Sequence, residues 1–190
     1  MRVVSLISGN GTNLQALINC QNKGLLGNAQ LIGVISNVDN AFGLERASQA
    51  AIRTSTLPHT QFVDRLSFDL ALIEVIREYD PDLIALSGFM RILTVDFVTY
   101  FANKLINIHP SLLPKYKGLH THRRAIEAGE RTSGATVHWV AEKLDSGSII
   151  RQIKVPILPE DTEKTLKARV LKAEHKLYPA VVRDLSLEVS

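Results

Sequence analysis

Arg2-Val3-Val4-Ser5-Leu6-Ile7-Ser8-Gly9-Asn10-Gly11-Thr12-Asn13-Leu14 opens the chain and decides how the rest is read. The first six residues form a strand, a glycine-containing turn follows Ile7, and Leu14, Leu17 and Ile18 then recur as one stripe of a helix. Further units of the same kind follow. Gly24 and Gly27 close the helical region, Gln30–Ser36 is a second strand carrying Leu31, Ile32, Val34 and Ile35, and residues 41–50 read as a short helix. A third strand covers 52–57. A longer helix covers 61–79, with Phe62, Leu66, Leu70, Ile73 and Ile76 expected inward, and Pro81 introduces a fourth strand over 82–87. Strands alternating with helices at this spacing predict an α/β fold: a doubly wound, mostly parallel open sheet in a single domain over residues 1–190.

Beyond the fourth strand, residues 88–93 leave the sheet, 95–101 form a short helix, and 104–109 form a central strand stopped by Pro110. Residues 123–128 are helical. Thr136, His138 and Val140 then alternate with Val137, Trp139 and Ala141, as in a strand, and Leu144-Asp145-Ser146-Gly147 turns the chain into another strand over 149–155. Asp161 or Thr162 caps a last helix that runs to about Asp184.

At 45% hydrophobic and 22% charged, the composition is that of a globular domain, and no window approaches the roughly 18 uncharged apolar residues of a membrane span. The start of the chain does not resemble a secretion signal, so a cytoplasmic protein without a membrane partner is expected. Cys20 is the one cysteine; it has no disulfide partner within the chain, and packing is its expected role. The net charge of +3 comes from scattered basic residues. It fits a phosphate-bearing small molecule as well as a polynucleotide, and Arg123-Arg124 lacks the basic run of a nucleic-acid motif, so no nucleic-acid partner is expected.

Two stretches carry chemistry. In the first loop, Ser8 to Asn13, the glycines can take positive φ, and the helix start favours an anion such as a phosphate. Taken alone, that loop fits a ligand-free turn equally well. It is neither a dinucleotide fingerprint nor a P-loop. The second stretch is Asn107-Ile108-His109-Pro110-Ser111-Leu112-Leu113-Pro114. Residues i and i+2 of a strand project to one face about 7 Å apart, which sets the Asn107 amide beside the His109 imidazole at the strand's carboxyl end, where open sheets bind ligands. The plain alternative is a core histidine satisfied by an asparagine.

The Asn107-x-His109-Pro110-Ser111-Leu112-Leu113-Pro114 run resembles the signature of the folate-dependent formyltransferases, a family with a Rossmann-like fold whose asparagine and histidine are catalytic. Ile7 to Leu14 is similar to the phosphate loop of the branch that formylates glycinamide ribonucleotide. The likeness extends to Ala41-Phe42-Gly43-Leu44-Glu45-Arg46-Ala47, Gly88-Phe89-Met90-Arg91-Ile92-Leu93, Gly118-Leu119-His120-Thr121-His122 and Glu174-His175-x-x-Tyr178-Pro179. Branches that formylate initiator tRNA or hydrolyse formyl-folate carry an additional domain, which 190 residues are not expected to hold. Lys117 departs from the pattern where several relatives have proline.

The resemblance implies that Asn107, His109 and Asp145 are catalytic, and that Gly11, Thr12, Asn13 and Glu174 hold the ribonucleotide. It also implies that Arg65, Met90, Arg91, Ile92 and Leu93 bind folate, and that Thr136 and His138 support the catalytic residues from behind. Each residue has a plainer reading. Glu174 also fits a solvated helix charge, Arg65 a solvated arginine, Met90, Ile92 and Leu93 core packing, and Asp145 a turn residue capping backbone N–H groups. The implied substrates are 10-formyltetrahydrofolate and glycinamide ribonucleotide, with no metal. The amino-terminal half is expected to bind the ribonucleotide phosphate, and the carboxyl-terminal half to carry catalysis and folate binding. Monomer and homodimer both remain open.

Overall fold

The computed structural model describes residues 1–188. Five parallel strands, β1 (Arg2–Ile7), β2 (Gln30–Ser36), β3 (Arg53–Thr56), β4 (Leu83–Leu86) and β5 (Leu105–His109), lie in the order β3-β2-β1-β4-β5. Two antiparallel strands, β6 (Thr132–Trp139) and β7 (Ile149–Pro156), extend the sheet beyond β5. The expected doubly wound, mostly parallel open sheet is therefore present. Strand order reverses between β1 and β4, so the loops leaving their carboxyl ends diverge and open a crevice there.

Side-chain alternation assigns each strand residue to one of two cores. Val3, Ile7, Ala85, Ile106, Ile108, Ala135 and Val137 pack beneath α1 (Thr12–Asn22), α2 (Phe42–Gln49) and α6 (Glu163–Glu188). On the opposite face, Val4, Leu6, Ile84, Leu86 and Leu105 pack against α3 (Arg65–Arg77) and α4 (Val95–Tyr100). Asn107 and His109 have the parity of Leu105, yet they lie past the helical cover.

The helix expected over 61–79 starts later. Asp64 accepts from Ser67 N at 2.8 Å and closes a capping box, so α3 begins at Arg65 and Phe62 falls outside it. The inward stripe is then Phe68, Leu72 and Ile76 with Ile73, whereas Leu66 and Leu70 face outward at 44% and 52% exposure. A run of Phe62, Leu66 and Leu70 spaced four apart mimicked a stripe whose true phase begins at Phe68. At the amino end of α6, Thr162 does the capping through Thr165, while Asp161 pairs with Arg169 at 2.5 and 2.9 Å. That helix continues past Asp184 with Pro179 inside it. The short helix α5 (Thr121–Glu127) begins before Arg123.

Tyr178, fully buried on α6, donates its hydroxyl to the Leu86 carbonyl at 3.0 Å and lies 3.4 Å from that of Ile106. It thereby ties the helix to the ends of β4 and β5. Tyr178→Phe removes the donor and leaves buried carbonyls short of a partner, so a loss of about 1–2 kcal/mol is expected. It should appear in urea titration as a lower midpoint with unchanged slope.

Candidate active site

Gly11 sits at the start of α1 with φ +65°, and no side chain caps the helix. The first-turn N–H groups lack an intrahelical acceptor by construction, an arrangement that favours an anion. A Cβ on Gly11 would lie 2.7 Å from the Gly43 Cα, so the residue answers both to the left-handed backbone and to the close approach of α2. Two positions on, Asn13 Nδ2 donates to Glu174 Oε2 at 2.7 Å across 161 residues of chain. Glu174 is only 7% exposed, which rules out a solvated helix charge. Burial raises its carboxyl pKa, while the Asn13 bond and the Lys167 charge oppose that rise.

At the carboxyl end of β5, the antiparallel ladder sets Asn107 opposite His138 and His109 opposite Thr136. His138 Nδ1 is 2.7 Å from the Trp139 carbonyl, which can only accept, so that nitrogen carries the hydrogen. Nε2 is then the acceptor for Asn107 Nδ2 at 3.2 Å. Burial, the largest influence, lowers the His138 pKa and favours this neutral tautomer, although the Trp139 carbonyl and Asp145 pull the other way. The pairing fixes the Asn107 amide and leaves its second Nδ2 hydrogen for a carbonyl in the cleft.

Asp145 reaches the same point from the β6–β7 connection. It is 9% exposed and holds φ +47°, a left-handed backbone that aspartate adopts more readily than most non-glycine residues. Gly147 makes that turn possible, because a Cβ there would lie 1.7 Å from the Trp139 carbonyl. Asp145 Oδ2 accepts from Gly118 N at 2.8 Å and lies 3.4 Å from His109 Nδ1, and Oδ1 is 3.8 Å from His138 Nε2. The other His109 nitrogen, Nε2, is 2.9 Å from the Tyr116 carbonyl. An oxygen therefore faces each His109 nitrogen, the Tyr116 carbonyl at hydrogen-bond distance and the Asp145 carboxylate farther away.

Met90 and Ile92 are 70% and 51% exposed, so core packing does not describe them. Their loop lies across the crevice from Gly9 and Gly11, with Ser8 between. Arg91 and Arg65 both act on the Asp69 carboxyl, which puts Arg65 on the same side of the molecule as the loop. Thr136 does not touch the catalytic-type trio. Its hydroxyl donates to the Ser111 carbonyl at 2.6 Å and accepts from Leu113 N at 3.1 Å, fastening the start of the 110–120 loop.

The structure thus gathers Asn107, His109, Asp145 and His138 in one cluster and Asn13 and Glu174 in another. No direct bond joins the two. His122 is also buried, which lowers its pKa, with the Lys167 and His109 charges adding to that effect and Glu163 opposing it. Its Nδ1, like Asn13 Oδ1, Asp69 Oδ1 and Arg91 Nε, is buried without a hydrogen-bond partner among the described residues. Buried orphans are uncommon, and His175 Nε2 is a fifth. Sequence reading placed His122 only within a family-like motif, without a role of its own, and passed over Asp69 and the Tyr116 carbonyl. A backbone acceptor leaves no mark in residue identity. Among the described residues, no group of three or more His, Cys, Asp or Glu side chains is placed to hold a metal ion.

Residues 1–182 match the family described as formyl transferase. The chain is 50% identical over 183 residues to the phosphoribosylglycinamide formyltransferase of Escherichia coli (strain K12), covering 96% of this chain and 85% of that protein. It is 49% identical over 185 residues to the trifunctional purine biosynthetic protein adenosine-3 of Drosophila melanogaster, a match to 97% of this chain and 14% of the longer protein. The solved phosphoribosylglycinamide formyltransferase of Coxiella burnetii superposes with a TM-score of 0.94 at 49% identity, covering 99% of this chain and 88% of that one.

The buried Glu174 generates a test. A carboxyl whose pKa is raised by folding favours the fold below its ordinary value of 4.5, and that contribution is lost as pH rises from there through the raised value. Glu174→Gln keeps an acceptor for Asn13 and removes the buried charge. Its urea midpoint should exceed that of the unaltered protein at pH 8, and the two should converge toward pH 4. Equal midpoints at pH 8 would mean that the fold fully compensates the carboxylate.

Proposed function

The chain belongs to the formyl transferase family, and we propose that it transfers the formyl group of 10-formyltetrahydrofolate to the amine of glycinamide ribonucleotide. The product is N-formylglycinamide ribonucleotide, a step of de novo purine biosynthesis. The observation that carries this reading is the pairing of an anion site at Gly11, Thr12 and Asn13 with the Asn107, His109 and Asp145 cluster in one crevice. The phosphate binds to the N–H groups at the start of α1. Glu174 receives the glycinamide end. The exposed Met90–Leu93 backbone takes the folate ring, and Arg65 meets its acidic tail.

In this mechanism the neutral amine attacks the formyl carbon, forming a new N–C bond and a tetrahedral intermediate with charge on oxygen. The remaining Asn107 Nδ2 hydrogen and the His109 imidazolium stabilise that oxygen; a single such donor is typically worth about 3 kcal/mol in the transition state. To reach it, His109 Nε2 exchanges the Tyr116 carbonyl for a more strongly charged acceptor. Asp145 favours the imidazolium electrostatically and helps carry the amine's proton to the departing folate nitrogen as the old C–N bond breaks. His138 keeps the Asn107 amide turned toward the reacting carbonyl.

Formyl-folate consumption should depend on glycinamide ribonucleotide. Comparable turnover with water as acceptor would overturn the assignment. Asp145→Asn preserves shape but removes the charge, so kcat should fall by at least about thirtyfold, equivalent to about 2 kcal/mol, with modest changes in either KM. A near-normal kcat, measured where chemistry limits the rate, would remove Asp145 from the catalytic set.

A further inference from the structure

Met90 and Ile92 are exposed, yet side chains from two other segments pin the backbone at Met90 and at Thr94. Met90 N donates to Ser8 Oγ at 2.7 Å, and Ser8 N donates to the Gly88 carbonyl at 3.2 Å. Because the Met90 amide can only donate, the single hydroxyl hydrogen of Ser8 goes to Asn37 Oδ1, 2.6 Å away. That orients the Asn37 amide, whose Nδ2 lies 2.9 Å from His59 Nδ1, a ring nitrogen that is also 2.9 Å from the Asn37 carbonyl. Donor and acceptor are matched at each link from Met90 through Ser8 to Asn37. At the far end of the segment, Thr94 N donates to Asp69 Oδ2 at 2.6 Å. Asp69 is 1% exposed and projects from α3 beneath the loop, and Thr94 in turn caps α4.

We propose that Ser8, acting through Asn37, and Asp69 are positioning residues for the formyl-folate site, holding the 90–94 backbone from its two ends. The inference rests on the formyl-transfer reading above and adds an unexpected division of labour. By sequence, Ser8 belongs to the phosphate loop; by its bonds, it serves the loop across the crevice. It is the strut between the two substrate sites. The Met90 bond is exposed, so water can replace the lost acceptor when the hydroxyl is removed. Stability then changes little, whereas the loop loses the fixed shape that a bound ring needs.

The test is the affinity of Ser8→Ala for each substrate. One positioning hydrogen bond corresponds to about a three- to tenfold change. The KM of formyl-folate, and the Kd of an unreactive 10-substituted folate analogue measured by titration calorimetry, should rise by that factor. The ribonucleotide KM should stay within about twofold. Asn37→Ala should act in the same direction and less than additively with Ser8→Ala, because both cut one chain of bonds. Ser8→Thr, which retains the hydroxyl, should restore most of the affinity. Asp69→Ala should weaken the analogue, while Asp69→Asn, still able to accept from Thr94, should weaken it less. An increase confined to the ribonucleotide KM, equal increases for both substrates, or no change in either would overturn the proposal. If the unaltered protein failed to bind the analogue, the formyl-transfer reading would fall, and this inference with it. Unchanged analogue binding in Ser8→Ala would sink the strut alone.

Discussion

The reversal of strand order between β1 and β4 is the constraint on which the molecule depends. All five parallel strands end on the same edge, and neighbouring crossovers there turn to opposite faces, so the loops after Ile7 and Leu86 cannot cover one another. A crevice results from topology before any side chain is chosen. The chain uses its two walls differently. One is a helix start whose amides suit an anion. The other exposes Met90 and Ile92, apolar surface suited to a flat ring. Ser8, in the loop that leads to the helix start, accepts from Met90 N at 2.7 Å and donates to Asn37 Oδ1 at 2.6 Å.

The cluster of Asn107, His109, His138 and Asp145 depends on a second architectural choice, the change from parallel to antiparallel pairing at β5. An antiparallel partner places side chains directly opposite each other on one face, which brings His138 against Asn107 in register. The same direction makes β6 exit beside Leu105, at the amino end of β5, so the β6–β7 connection folds back along the strand to bring Asp145 to His109.

Several polar groups sit where burial is costly. Glu174, on α6, has a raised pKa, and Asn13 Oδ1, Asp69 Oδ1, Arg91 Nε, His122 Nδ1 and His175 Nε2 lack partners among the described residues. Each such group costs on the order of 1–3 kcal/mol relative to a satisfied one. The two packed cores offset that cost, with Tyr178 anchoring α6 to the sheet between them. Rigid elements hold these groups in place, so that a ligand meets donors and acceptors already oriented, with little left to order on binding.

By itself, the sequence determined what depends on neighbours along the chain. Period-two and period-3.6 patterns marked the strands and helices, the glycines of Ser8 to Asn13 marked a helix start open to an anion, and the spacing of Asn107 and His109 put them on one face. Motif likeness then named the family and its residues. Where a local pattern could be phased in more than one way, it misled. The Phe62, Leu66 and Leu70 run looked like an inward stripe until the Asp64 cap set the helix start. Only the tertiary structure decided which distant residues meet: Glu174 with Asn13, Asp145 with His109, His138 with Asn107, and Ser8 with Met90. The physical reason is that a hydrogen bond across 161 residues depends on strand order and crossover geometry, which no window of adjacent residues contains. The Tyr116 carbonyl facing His109 is the limiting case, since every residue but one type has the same backbone, and only the fold decides where that oxygen points.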